Sequence, residues 1–190
     1  MRKSAQCTEA ENARDAAAMA AMFRAIDECL CPVIGRINGA ALGGGMGLIA
    51  CCDIVVAVET AQFGFTEVRL GIVPAVISPF ALSKIGSRAA RRYFLTGEMF
   101  GTTEAVQMGL VHEAVELAAL DTRVKEFTTA IIQNGPHAVA TAKKLIREVA
   151  ALDREAAHRH TIATIARLRT SPEGQEGLGA FLEKRRPDWI

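Results

Sequence analysis

The first periodic stretch of the chain follows Thr8 and Glu11, whose spacing is that of a capping box. It sets Ala16, Met19, Phe23, Ile26 and Leu30 at intervals of three and four. This predicts an amphipathic helix ending before Pro32. The period then changes. Val33-Ile34-Gly35-Arg36-Ile37 reads as a short strand closed by the turn pair Asn38-Gly39. A glycine-dense turn, Ala40-Ala41-Leu42-Gly43-Gly44-Gly45-Met46-Gly47, runs straight into the apolar, helix-compatible Leu48-Ile49-Ala50-Cys51-Cys52. Ile54-Val55-Val56-Ala57-Val58 is a continuous apolar run of the kind buried on both faces of a parallel sheet. Strand, short helix and strand in that order make a crossover unit.

Residues 61–74 show no period and are bounded by Gly and Pro, which predicts a loop with brief extended pieces. A helix is predicted over 78–95 around Gly86, and a shorter one over 103–108, stopped by Gly109 and followed by an extended Leu110-Val111. Beyond this the pattern is helical throughout, over 120–133, 136–152 and 154–169. A last helix starts at Ser171-Pro172, with Ser as N-cap and Pro in the first helical position, and runs through Phe181. The first half alternates strand and helix and the second is helical. The expected division falls at Asn134-Gly135-Pro136, giving a core over 1–134 and a helical region over 135–190.

Composition narrows the function. The 190 residues include 22 Lys and Arg against 21 Asp and Glu, a formal charge of +1, so no basic surplus is available to neutralise many phosphates. A nucleic-acid partner is not expected. The longest uncharged run, 37–52, is cut by five glycines and Asn38, so no membrane span is expected. Met1-Arg2-Lys3 is not followed by the apolar stretch of a secretion signal. Five cysteines, an odd number with Cys51 and Cys52 adjacent in an apolar run, argue against a disulfide scaffold and for a reducing compartment, the cytoplasm. Cys29 and Cys31 have no second Cys/His pair of zinc-ligand spacing, so no metal is expected.

Two features carry chemistry. Successive glycines before a helix, Gly43-Gly44-Gly45, leave backbone N–H groups unshielded and aimed at one spot, reinforced by the helix dipole. The anion they meet is either a phosphate or a developing enolate, and the plainer alternative is a close-packed turn with no ligand. Gly45-Met46-Gly47-Leu48-Ile49-Ala50 formally fits a dinucleotide fingerprint, but it stands well past the preceding strand's end. The second feature is Glu67, which follows Phe63, Phe65 and Thr66 in a segment poor in charge. A partly desolvated carboxylate suits proton transfer near neutrality; a salt bridge to Arg69 or a solvated loop acid is the alternative. Arg88, Arg91 and Arg92 read as an exposed helix face, and His158 and His160 do not share one.

Ile37-Asn38-Gly39-Ala40-Ala41-Leu42-Gly43-Gly44-Gly45, Cys52-Asp53-Ile54, Ala61-Gln62-Phe63-Gly64, Glu67-Val68-Arg69-Leu70-Gly71 and Pro74 resemble the signature of the enoyl-CoA hydratase/isomerase (crotonase) superfamily. Leu95-Thr96-Gly97, Ala105, Gly109-Leu110-Val111, Glu176-Gly177 and Phe181-Leu182-Glu183-Lys184-Arg185 match its later blocks in order. The segment 66–79 is most similar to the methylglutaconyl-CoA hydratase branch. The resemblance implies an α/β fold, a crotonase-like spiral of ββα units, N-terminally incomplete, followed by a helical C-terminal trimerisation region.

The resemblance implies a coenzyme A thioester as substrate, with no separate cofactor, and a homo-trimer or hexamer. The activity it implies is hydration of a 2-enoyl-CoA, such as 3-methylglutaconyl-CoA in leucine degradation, through an enolate held in an oxyanion hole. Gly44 matches the second oxyanion donor and Glu67 the family's second catalytic glutamate. Gly43, Arg69, Pro74, Phe181 and Lys184 fall at substrate-binding positions: Arg69 as a partner for a distal carboxylate, Phe181 and Lys184 near the CoA nucleotide. Two departures stand against it. Gly47 occupies the place of the family's usual first catalytic glutamate, and the family's opening segment, with the first oxyanion donor, has no counterpart before Met1. The alternatives are therefore an enoyl-CoA isomerase, which one carboxylate serves, and a truncated, non-catalytic member.

Overall fold

In a computed structural model, residues 7–190 are described. They form two compact units, the first comprising the chain up to Cys29 together with Val33–Val124, the second Leu30–Pro32 with Lys125–Ile190. Asn134-Gly135-Pro136 lies within the second unit, between two of its helices.

The first unit opens with α1 (Glu9–Asp27), whose Thr8 and Glu11 close the expected capping box: the Thr8 amide donates to Glu11 Oε2 at 2.8 Å and the Glu11 amide to Thr8 Oγ1 at 3.3 Å. Then come β1 (Ile34–Ile37), β2 (Ala40–Leu42), α2 (Gly44–Ala50), β3 (Ile54–Val58) and β4 (Gln62–Gly64). A 3₁₀ turn (Glu67–Leu70) leads to α3 (Ser78–Thr96), β5 (Phe100–Gly101), α4 (Thr102–Gln107) and β6 (Glu113–Val115). The strands sort into two three-stranded sheets, β1-β3-β6 and β2-β4-β5. The first two turns of the chain, β1-β2-α2 and β3-β4-α3, each give one strand to each sheet before the helix, the ββα spiral that the sequence resemblance implies; in the third, α4 stands between β5 and β6.

β3 is the central strand of its sheet, parallel to β1 and to β6, and Val55, Val56, Ala57 and Val58 are all buried. Its unbroken apolar run is what burial on both faces requires. Polar side chains fix its edges. The Asp53 carboxylate accepts from the Val33 amide at 2.7 Å, and the buried Thr102 hydroxyl donates to Val58 O at 2.8 Å. The Val55 amide donates to His112 Nδ1 at 3.0 Å. These bonds satisfy backbone groups that the short neighbouring strands leave over.

Several local expectations shift. Ala40-Ala41-Leu42 is a strand rather than part of the turn, because it is parallel-paired with β4, Ala41 opposite Phe63. α2 begins at Gly44 rather than Leu48, so the glycines themselves make the first helical turn. Tertiary packing outweighs the low helix propensity of glycine there. Leu110 and Val111 are buried as an extended pair would be, but the strand forms at Glu113–Val115, one residue after His112 bonds to Val55. Gly86, with φ 67°, breaks α3 into two helical pieces.

α5 (Leu120–Ile132) leads into the second unit, which contains α6 (Pro136–Ala151), α7 (Arg154–Arg169) and α8 (Pro172–Glu183). Ser171 caps α8 as expected, accepting from the Gly174 amide at 3.0 Å, and Asp153 caps α7. The Glu173 carboxylate reaches across to the start of α6, accepting from the amides of His137 and Ala138 at 2.9 and 2.7 Å. After α8 the chain turns back and is clamped: both oxygens of Glu176 accept from the Arg185 guanidinium, at 2.6 and 2.7 Å, and Oε1 also accepts from the Asp188 amide.

The Arg185 fork holds the Glu176 carboxyl down at about 2, below its ordinary 4.5. A depressed carboxylate contributes stability above its unfolded value and loses it as pH falls through the folded one. Thermal unfolding of the wild type is expected to lose stability between about pH 4.5 and 2 in part through this pair. Glu176→Gln should flatten that portion of the curve, as measured by circular dichroism melts across the range.

Candidate active site

Gly43 is where the site begins. It caps α2 with φ 50° and ψ −118°, a conformation open to glycine alone, and its amide donates to Gly64 O at 3.1 Å. The Met46 amide donates back to Gly43 O at 2.9 Å. The Gly44 and Gly45 amides, first in the helix, have no intrahelical acceptor. Gly44 is exposed, and nothing lies within 4 Å of where its Cβ would stand.

Glu67 arrives from the other side. Phe63 and Phe65, both fully buried, anchor the segment that delivers it. Phe65 packs on Phe94 at 4.6 Å between ring centroids, and Phe63 on Phe100 at 5.8 Å. Tyr93 closes on Phe100 at 4.3 Å. With this aromatic cluster as footing, the 3₁₀ turn starts at Glu67 and points its carboxylate back at the glycines: a Cβ on Gly43 would stand 3.5 Å from Glu67 Oε1. Oε2 is buried and has no hydrogen-bond partner among the described residues. Buried polar atoms are normally paired, which sets this carboxylate oxygen apart. Among the described residues no salt bridge joins Glu67 to Arg69; the Arg69 stem and Nε lie against Gly97, at 3.3 and 3.5 Å from where its Cβ would be.

Of the sequence candidates, Gly43, Gly44 and Glu67 are brought together. Arg69 is exposed and packs over Gly97. Pro74 is buried in the loop ahead of α3. Phe181 and Lys184 belong to the second unit, where Phe181 is 80% exposed and Lys184 ends α8 in a left-handed conformation, φ 55°. Among the described residues no group of three or more His, Cys, Asp or Glu side chains is placed to hold a metal ion, and no helix is long and apolar enough to cross a membrane. Burial pushes the Cys51 thiol up to about 12, leaving it an unreactive core side chain.

Two residues of the site escape sequence reasoning: Phe23 and Ile77, which pack onto Gly47 of α2. Phe23 reads as one apolar position among several on α1, and Ile77 sits in a loop. The signal available is indirect, a glycine inside an apolar helix, which marks close approach by some other element.

The site thus joins a glycine turn at the start of α2 to a carboxylate with one buried, unpartnered oxygen, on a scaffold of two small sheets. The enoyl-CoA hydratase/isomerase family profile matches residues 2–190. The chain belongs to that family, within the crotonase superfamily. It is 34% identical over 170 residues to a crotonyl-CoA hydratase of Syntrophomonas wolfei, covering 89% of this chain and 65% of the relative. Against a mevalonyl-coenzyme A hydratase of Aspergillus fumigatus it is 36% identical over 162 residues, covering 83% and 60%. Among solved structures, an enoyl-CoA hydratase from Shewanella pealeana superposes with a TM-score of 0.96 at 41% identity, over all of this chain and 71% of that one. AtuE of Pseudomonas aeruginosa gives 0.91 at 33%, over 97% and 72%. The chain spans about 60 to 70% of the length of the curated relatives it matches.

The Gly43 conformation predicts its own test. Gly43→Ala is expected to lower stability by about 1–3 kcal/mol through backbone strain alone, since the space for a methyl exists. Chemical denaturation of the variant beside the wild type measures it, and an unchanged midpoint would contradict the assigned backbone.

Proposed function

We propose that the chain is the catalytic part of an enoyl-CoA hydratase that adds water to a short 2-enoyl-CoA, with 3-methylglutaconyl-CoA as the candidate substrate. The observation that carries this is Glu67 Oε2, buried and unpartnered, on a carboxylate that stands beside the Gly43–Gly44 turn. The relatives named as hydratases of crotonyl-CoA and short-chain enoyl-CoA support the reaction type.

The residues supply the steps as follows. The Gly44 amide donates to the thioester oxygen, and this bond strengthens as that oxygen gains charge. Glu67 takes a proton from water as the water oxygen bonds to C3. The C2–C3 π electrons move toward the thioester, whose oxygen becomes an enolate oxygen. Glu67 then returns the proton to C2 as the enolate collapses, so one water is added and the carboxylate is regenerated. Gly47 favours a second reading by the same group, isomerisation: Glu67 removes a proton from C2 of a 3-enoyl-CoA and returns it to C4. Arg69 is the candidate partner for a distal acyl carboxylate, in competition with its packing role over Gly97.

The second unit supports assembly. Ile146, Ile162, Phe181 and Leu182 are between 67% and 80% exposed, which a helical surface covered by further copies would explain. We read it as the contact region of a homo-trimer or hexamer, and Phe181 and Lys184 as reaching a CoA nucleotide in that assembly.

Hydration of crotonyl-CoA and 3-methylglutaconyl-CoA, followed by loss of enoyl absorbance, tests the reading. Glu67→Gln should lower kcat about 100-fold or more. Arg69→Ala should weaken the preference for the carboxylated substrate. Turnover untouched by Glu67→Gln would remove Glu67 from the mechanism. A folded wild type with no turnover would support the non-catalytic alternative, and an unchanged preference would remove Arg69 from substrate binding. Light scattering is expected to give the mass of three or six chains; a clean monomer would overturn the assembly.

A further inference from the structure

Within α2 one glycine is open and another is shut. A Cβ on Gly47 would lie 2.5 Å from Ile77 Cγ2, 2.6 Å from Phe23 Cζ and 2.9 Å from Phe23 Cε1. No carbon pair approaches so closely without displacement. Phe23 and Ile77 are themselves buried, at 1% and 3% exposure, and Phe80 backs the Phe23 ring with centroids 5.9 Å apart. Neither is a flexible side-chain end free to swing into solvent, so position 47 admits no side chain at all.

What that position would otherwise cover is decided by helix geometry. A side chain on a helix lies over the turn N-terminal to its own Cα. From 47 that turn is Gly43–Gly44, where Glu67 stands. The ring edge of Phe23 and the methyl of Ile77 therefore occupy the place from which any group on α2 would reach Glu67.

We infer that Phe23 and Ile77 are specificity-determining residues of the Glu67 site: they make the wall one helical turn from the carboxylate closed and apolar, restricting the site to short acyl thioesters and to one acid from this face. The inference rests on the proposed role of Glu67. Two consequences follow for the chemistry. Glu67 must both accept and return the proton, because α2 offers no second carboxylate. Phe23 and Ile77 also fill the core behind position 47, so an acyl chain longer than a few carbons has no cleft to enter there.

The test is a mutant cycle in the 190-residue chain. Gly47→Ala is expected to lower Tm by about 3–10 °C in the wild type, since it overpacks a filled core. In a Phe23→Ala background the same change should cost less than about a third of that, because the two sites are coupled. Ile77→Ala provides the same comparison if Phe23→Ala fails to fold. An equal cost in every background overturns the closure. For specificity, the ratio of kcat/KM for 2-octenoyl-CoA to that for crotonyl-CoA should rise about tenfold on removing the wall. An unchanged ratio overturns the specificity role. Should the wild type turn over neither substrate, the hydratase reading falls, while the coupling of melting temperatures still decides whether Phe23 and Ile77 close position 47.

Discussion

The hydrogen bond from the Gly43 amide to Gly64 O, 3.1 Å long, is the joint on which the site depends. It extends the β2–β4 ladder by one step past Leu42, so the chain is still tied to its neighbouring strand when it turns into α2. Because the bond consumes the Gly43 donor, the first free amides fall at Gly44 and Gly45. Because β4 is held at Gly64, the residues that follow it are delivered beside the same turn. Two segments more than twenty residues apart in sequence thus meet with their functional groups in register, and the register is set by backbone pairing rather than by the groups themselves.

A buried, unpartnered carboxylate oxygen is unfavourable and needs footing elsewhere. The footing is the aromatic cluster of Phe63, Phe65, Tyr93, Phe94 and Phe100, which draws on β4, α3 and β5. A fully buried aromatic side chain covers roughly 150–250 Å² of apolar surface, and Phe63, Phe65, Tyr93 and Phe100 are all buried, which fixes the segment ahead of Glu67. The stability of the second sheet and the position of Glu67 are in this sense one property. A change at Phe65 would loosen this cluster two residues ahead of the carboxylate.

Much of this was legible in the chain. The β3 run, the triple glycine and the capped helices each carry a local signal strong enough to survive tertiary context, and the family motifs placed Gly44 and Glu67 together without any coordinates. What the sequence concealed is long-range. β2 is three residues without a β-branched side chain and forms only because β4 lies beside it. α2 starts four residues earlier than its apolar content indicates, since glycine becomes helical only where packing holds it. Arg69 carried a charge argument toward substrate, whereas its stem lies over Gly97, a contact across nearly thirty residues that no spacing rule encodes. Phe23 and Ile77 flank Gly47 from opposite directions along the chain, and nothing local to either names the other.

Gly44 and Gly47 show how the same residue type meets opposite demands within one short helix. At 44 glycine leaves room, and a methyl would find nothing in its way within the protein. At 47 glycine takes no room, and a methyl would drive into the Phe23 ring. A methyl at the first position meets no clash, whereas one at the second overpacks a filled core. Site and core are therefore adjacent faces of α2, separated by a single turn, and the helix can move only by disturbing both. That is a physical reason for so short an element to hold its geometry: its N-terminus is tied through Gly43 to β4, and its far side is wedged by α1 and by the residue that opens α3.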